Sequence, residues 1–360
     1  MAFSLSIYPW VFKAQFDGSG WTESYDEKPH KTPAEEAALS AADLQRLLAQ
    51  RNSFPELPLV NYTTQYGMGC FEGLKAFPQP NGTLKLFRPD RNAARMKMSM
   101  EGLKMPGFPA GQFVKAAQGI VARNAALGFR PDYDDEWIKD NFLNASAIYL
   151  RPFTYSEPAI GLGLSTTPWV VIISTPVSSY FKEGSSAAVT TEAVRATRQG
   201  TGWIKCDANY VIPTLAKKTA EAAGYMEAIF LDAMEQKYVE EGSSCNFFVV
   251  MKNGTLVTPA LGDTILPGIT RDSIITLAGD LGLKVEQRRL PIREVLEKGR
   301  EAFVTGTAAG VSYLESVTHK NKTALFSGGK IGEVTLELQK TLKGIQYGHL
   351  PDTHSWMLDV

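Results

Sequence analysis

Lys205 follows Trp203 and Ile204 and precedes Cys206, so its amine stands in a partly apolar segment. Burial disfavours an ammonium and favours the free amine, which can attack a carbonyl carbon and move protons. On residue type alone it is one of 37 basic residues, and these are mostly solvated surface charges. Glu240 and Glu241 occupy adjacent positions of a strand-like stretch, so one carboxylate points inward and the other outward. After Leu266, Pro267 and Gly268 a helix opens, and its first N–H groups, at Ile269 and Thr270, can receive an anion such as a phosphate. Each feature also has an ordinary reading, as a surface lysine, two turn carboxylates or a plain helix start.

Other constellations fall short. Gly161-Leu162-Gly163 could open a dinucleotide-binding turn, but Thr166 stands where the third glycine belongs and no obvious strand precedes it. His30, His319, His349 and His354 have no metal-ligand spacing, and no metal is expected. Cys70, Cys206 and Cys245 are an odd number without a CxxC pair, which argues against a disulfide framework, a zinc knuckle and CxxC redox control. Free thiols fit a reducing cytosol, so a cytoplasmic location is expected.

The elements that must position these residues alternate along the chain. A strand is predicted over 83–87 after the Asn81-Gly82 turn, and Pro89-Asp90 opens a helix with Ala93, Met96, Met100 and Leu103 on one face. Strands are predicted over 145–149 and 170–174. Residues 176–187, rich in Ser and Gly and without period, read as a linker between a domain over 1–175 and another over 188–360. Beyond it, Pro213 fits a first helical turn that Gly224 closes, and short strands follow at 228–232, 238–241, 246–250 and 256–258, the last two joined at Asn253-Gly254. The helix after Gly268 should turn Ile274, Leu277, Ala278 and Leu281 inward. The predicted class is α+β.

With 360 residues, 44% hydrophobic and 21% charged, the chain suits two ordinary domains. The 37 basic and 38 acidic residues nearly cancel, which speaks against nucleic acid or a membrane surface as partner and for small molecules. No Arg precedes Arg46, so no transit peptide is expected, and the apolar run 5–12 is too short to span a membrane.

Residues 66–77 (YGMGCFEGLKAF) closely resemble the N-terminal signature of branched-chain aminotransferases. Blocks similar to that family recur in its order: NAARMKMSMEGLKMP at 92–106, YLRP at 149–152, KCDANY at 205–210, EGSSCN at 241–246, LPGITR at 266–271, GTAA at 306–309 and IQYG at 345–348. The resemblance spans 60–350. It implies PLP fold type IV, with a small α/β N-terminal domain and a larger pseudo-barrel C-terminal domain, pyridoxal 5′-phosphate as cofactor, and a homodimer or higher homo-oligomer. The implied reaction moves the amino group of leucine, isoleucine or valine to 2-oxoglutarate.

The resemblance also implies roles. Lys205 would bind the cofactor and act as acid and base at the substrate α-carbon. Glu241, five residues before Asn246, would face the ring nitrogen, with Glu240 pointing away. Tyr210 would bond the ring 3′-oxygen. Arg95, Ile269, Thr270 and Thr307 would hold the phosphate, and Leu266 and Ser244 would bracket the ring. Tyr66 and Phe71 would form an apolar wall, Tyr149 with the N–H groups of Thr307 and Ala308 would hold the α-carboxylate, and Arg151 would receive the distal carboxylate of glutamate.

Two departures stand out: the first sixty residues lack the family's Phe-Thr-Asp-His segment, and Gly310-Val311-Ser312-Tyr313-Leu314 is less aliphatic than usual. D-amino-acid aminotransferases, (R)-selective amine transaminases and aminodeoxychorismate lyases share the fold, but the block at 66–77 argues against them. A non-catalytic PLP-binding relative is opposed by Lys205, Tyr210 and Glu241 together.

Overall fold

The computed structural model describes residues 6–178 and 186–360. They fall into two compact units. The first takes the described part of Met1–Tyr180 with Lys205–Ala208 and Ile345–Val360, and the second the described part of Phe181–Ile204 with Asn209–Gly344. The division therefore differs from a single cut between 175 and 188, because two later stretches join the first unit. Of the expected linker, 179–185 lie outside the described residues, and Pro176 and Val177 end the strand Trp169–Val177.

The first unit is built on a seven-stranded sheet with spatial order Met357–Asp359, Leu84–Phe87, Leu74–Pro78, Ala147–Tyr155, Trp169–Val177, Trp10–Phe16 and Trp21–Glu27. Every neighbouring pair in it is antiparallel. Apolar packing brings the end of the chain here: the Tyr347 ring stacks on Phe142 and meets Phe77 edge-on, each at 5.0 Å. The helix predicted from Pro89 runs Pro89–Gly102 with Ala93, Met96 and Met100 buried, and Leu103 is buried as its C-cap residue. The helix Ala110–Ala126 packs on it and on the strands Trp10–Phe16 and Trp169–Val177. The strand expected at 145–149 continues to Tyr155, and this extension carries Arg151.

The second unit holds an eleven-stranded mixed sheet. The meander predicted from short apolar runs appears as Glu227–Leu231, Tyr238–Gly242, Asn246–Met251 and Leu256–Thr258. Gly254 has φ +85°, a conformation that only glycine adopts at little cost, and Val249 then pairs with Val257 across the hairpin. Phe247, Val249, Val257, Val304, Leu314 and Val317 share one buried cluster. Burying each such side chain contributes roughly 1.5–3 kcal/mol.

The helix after Gly268 is Ile269–Asp280, with Ile274, Leu277 and Ala278 buried. Leu281 does not face inward as expected. It is the C-cap residue and 42% exposed, because the chain leaves the helical path there and reverses at Gly282, φ +72°.

Candidate active site

In the first unit, Lys205 is carried by a short antiparallel pairing. Phe71 N–H donates to the Lys205 carbonyl at 3.1 Å, Asp207 N–H donates to the Gly69 carbonyl at 2.9 Å, and Cys70 stands opposite Cys206. The 69–72 stretch lies in turn along Ala147–Tyr155, through Thr154 N–H to the Cys70 carbonyl at 2.8 Å and Glu72 N–H to the Pro152 carbonyl at 2.7 Å. Lys205 N–H is also fixed by the fully buried Ser99 Oγ at 3.0 Å. Extended residues alternate faces, so Cys70 and Cys206 are buried on one side while Phe71 and Lys205 share the other, and Asp207 opens the short 3-10 helix Asp207–Tyr210.

On that shared face the Lys205 amine lies 4.6 Å from the Phe71 ring centre, and the Arg151 guanidinium lies 4.7 Å from the same centre. Arg151 Nη2 donates to the Tyr149 hydroxyl at 2.9 Å. A Cβ on Gly73 would strike that hydroxyl, so only glycine leaves it room. Lys205, Phe71, Tyr149 and Arg151, distant in sequence, are thus gathered in one cluster. Tyr66 is 40% exposed, and its hydroxyl accepts from Gly161 N–H at 3.2 Å, joining it to a loop instead.

Arg95 is buried and bidentate to Glu72, with Nε at 2.7 Å and Nη2 at 2.9 Å, and Asn92 Nδ2 adds a third donor to Glu72 at 2.7 Å. Glu72 sits inside the recognised 66–77 block, yet sequence reasoning gave it no part. The chemical signal was available: a carboxylate amid apolar residues needs a cation.

In the second unit, Glu241 is buried directly opposite Asn246, which explains their fixed spacing. Asn246 Nδ2 donates to Glu241 Oε2 at 3.1 Å and to the Leu266 carbonyl at 3.0 Å. A Cβ on Gly268 would collide with Asn246 Oδ1, so the turn before the helix is pressed against this strand pair. The first intrahelical bond runs from Asp272 N–H to the Gly268 carbonyl at 3.0 Å, which leaves the amides of Ile269 and Thr270 ahead of the ladder at the positive end of the helix. Asn246 pairs with Thr305, so the turn containing Ser244 lies beside the one containing Thr307 and Ala308, and the Ser244 carbonyl is 3.5 Å from where a Gly306 Cβ would be. Tyr210 is half-buried and immediately precedes the helix Val211–Ala222.

Arg195 was missed in the sequence. Its Nη2 pairs with Glu241 Oε1 at 2.6 Å, with the two side chains only 6% and 5% exposed, and it also donates to the Gly202 and Thr264 carbonyls. Nothing in its own neighbourhood marks it, because the partner is recruited by folding. Glu240 is a correction of another kind. It is half-buried rather than solvated, accepts from Thr264 Oγ1 at 2.6 Å, and its pKa is raised mainly by burial.

Several buried polar atoms have no protein partner: Arg195 Nε, Ser243 Oγ and Thr305 Oγ1 in the second unit and Arg151 Nε in the first. Buried groups of this kind normally find partners, and the spare capacity of the second unit, with the amides of Ile269 and Thr270, fits a polar anionic group such as a phosphorylated cofactor. The three cysteines are free thiols, and burial pushes those of Cys70 and Cys245 up. Leu162, in the incomplete glycine motif, is 92% exposed, and no helix follows it before Trp169.

Comparison with known proteins places these blocks in context. The family model for class IV amino-transferases matches residues 69–317. The chain is 38% identical over 300 residues to the chloroplastic branched-chain amino acid aminotransferase 2 of Humulus lupulus, covering 82% of this chain and 70% of that protein. The crystal structure of the Escherichia coli branched-chain amino acid aminotransferase matches with a TM-score of 0.71 at 26% identity, covering 84% of this chain and 94% of that one. A T.th. branched-chain amino acid aminotransferase, crystallised in complex with N-(5′-phosphopyridoxyl)-L-glutamate, matches with a TM-score of 0.68 at 27% identity, over 84% and 92%.

Proposed function

The chain belongs to the class IV aminotransferases, and on that premise we propose that it transfers the amino group of leucine, isoleucine or valine to 2-oxoglutarate, with pyridoxal 5′-phosphate as cofactor. The observation that carries this is the cluster of Lys205, Phe71, Tyr149 and Arg151, an amine and a guanidinium that stand 4.6 and 4.7 Å from the centre of one aromatic ring. An amine there can bind an aldehyde, the ring covers a hydrocarbon side chain, and the guanidinium receives a carboxylate. The ligand named in the T.th. complex joins a phosphopyridoxyl group to glutamate, which supports both the cofactor and the dicarboxylic substrate.

When bound, the cofactor supplies the electron sink that makes the α-proton of an amino acid removable. Lys205 would hold the cofactor through its amine and would move a proton at the substrate α-carbon. Glu241, held between Arg195 and Asn246, would pair with the ring nitrogen, and Tyr210 would bond the ring 3′-oxygen. The amides of Ile269 and Thr270, the Thr307 hydroxyl and Arg95 would hold the phosphate, while Leu266 and Ser244 would bracket the ring. Tyr149 and the N–H groups of Thr307 and Ala308 orient the α-carboxylate. Tyr66 and Phe71 cover the aliphatic chain, and Arg151 takes the distal carboxylate of glutamate.

The working form is a homodimer or higher homo-oligomer. Leu59 at 83%, Ile160 at 84% and Leu162 at 92% exposure, on segments tied by Ala159 N–H to the Val60 carbonyl at 3.1 Å, are large apolar side chains in solvent, which supports an interface there. The free thiols favour the cytoplasm. A panel of amino donors with 2-oxoglutarate, following glutamate, tests the reaction, and activity confined to D-amino acids or aromatic amines would refute it. Lys205→Ala abolishes turnover, and borohydride reduction with peptide mapping labels Lys205; a label on another lysine would overturn that role.

A further inference from the structure

We propose that Glu227 is a positioning residue for the cofactor ring: its buried carboxylate anchors the turn 242–245, which joins Glu241 to Asn246 and carries Ser244. This rests on the reading that Glu241 and Ser244 face the ring.

Glu227 opens the strand Glu227–Leu231, which lies antiparallel to Tyr238–Gly242 with Ile229 opposite Gly242. Two residues back from Ile229, the Glu227 side chain reaches the turn that follows Gly242. Its Oε1 accepts from Ser243 N–H at 3.0 Å and from Ala228 N–H at 3.0 Å. Its Oε2 accepts from Lys217 Nζ at 3.3 Å and from the Cys245 thiol at 3.6 Å. One carboxylate therefore grips the turn on either side of Ser244, and the turn itself is closed by Gly242 N–H to the Cys245 carbonyl at 2.8 Å. A Cβ on Gly242 would strike Cys245 Sγ and lie 3.4 Å from Glu227 Cγ, so both side chains press on the turn where only glycine leaves room.

Glu227 is 4% exposed, and a carboxylate so buried is tolerated only when its oxygens are bonded. Burial and the Glu227 charge push the Cys245 thiol up, so it stays protonated and able to donate. Ser244, between the two anchored residues, is exposed, and Glu241 and Asn246 flank the turn as directly opposed residues. A group that faces a ligand is held in place by the hydrogen bonds of its neighbours, and here Glu227 supplies them. The operative property is the reach of its oxygen to Ser243 N–H. An amide oxygen at the same point serves equally well, because the Lys217 side chain, 24% exposed, can turn to water.

The test loads the full chain with pyridoxamine 5′-phosphate, which needs no bond to Lys205, and follows its release by cofactor fluorescence after dilution. Glu227→Gln keeps the length of the side chain and an oxygen for Ser243 N–H, and should release the cofactor within about twofold of the wild-type rate. Glu227→Asp keeps the charge but falls one carbon–carbon bond short, and should release it about tenfold faster, as expected for one lost hydrogen bond to a charged group. Leu338→Ala, at a fully buried position of the helix Glu333–Gln346, should lower the unfolding midpoint yet leave release within about twofold of wild type. Release from Glu227→Gln as fast as from Glu227→Asp makes charge the operative property and overturns the proposal. Wild-type release from both Glu227 variants overturns it too, as does release from Leu338→Ala as fast as from Glu227→Asp, which would mark general loosening of the unit. If the wild-type chain retains no pyridoxamine 5′-phosphate, the cofactor reading itself fails and the role of Glu227 falls with it.

Discussion

Replacing Arg195 by methionine removes the cation that Glu241 holds at 2.6 Å where the two side chains are 6% and 5% exposed. A buried carboxylate stripped of its partner is strongly unfavourable, and breaking such a pair costs about 3–5 kcal/mol. The Gly202 and Thr264 carbonyls lose a donor as well, which places Arg195→Met at the upper end. Glu241→Gln in the same chain should return part of that stability, roughly 1–3 kcal/mol, because Asn246 can still bond an uncharged amide while no buried charge remains. Activity should move the other way. The double variant is more stable than Arg195→Met yet no more active, because an amide cannot serve as counter-ion to the ring nitrogen. Guanidinium unfolding at fixed cofactor concentration measures stability, and leucine-driven turnover measures activity. A double variant no more stable than Arg195→Met would refute the charge argument, and one with recovered turnover would refute the role of Glu241.

Arg151→Gln should raise the Michaelis constants for 2-oxoglutarate and glutamate ~10- to 100-fold while affecting leucine far less, the loss expected for a charged hydrogen-bond pair. Half-reactions measured separately check this, and parallel weakening contradicts it. Glu240→Gln should retain most activity, since Glu240 occupies the opposite strand face and bonds Thr264, whereas Glu241→Gln should lose orders of magnitude in rate; equal losses would overturn the facing argument. Replacing Cys70, Cys206 and Cys245 together by Ala or Ser should leave recognisable turnover in folded, cofactor-loaded protein, because burial keeps Cys70 and Cys245 protonated. Loss of chemistry with the cofactor still bound would contradict it.

Local chemistry made much of the fold and site legible in the sequence. Pro89 opens a helix because a fixed φ suits a first turn, Asn253-Gly254 closes a hairpin because glycine accepts a positive φ, and the spacing of Glu241 and Asn246 is that of directly opposed strand residues. The helix start at Ile269 and the family blocks that hold Lys205, Tyr149 and Arg151 are continuous stretches whose meaning does not depend on distant chain. Tertiary structure alone decided the rest. Arg195 reaches Glu241, Glu72 pairs with Arg95, and Glu240 is enclosed with Thr264, each through packing between segments far apart in sequence. Lys205–Ala208 and Ile345–Val360 join the first unit because backbone pairing and the stacking of Tyr347 outweigh chain continuity, which a linear division cannot register. Asp207 is the sharpest case: burial pushes its carboxyl up to about 6, and the Gly69 backbone it lies against is brought there by strand pairing, not by its neighbours in the chain.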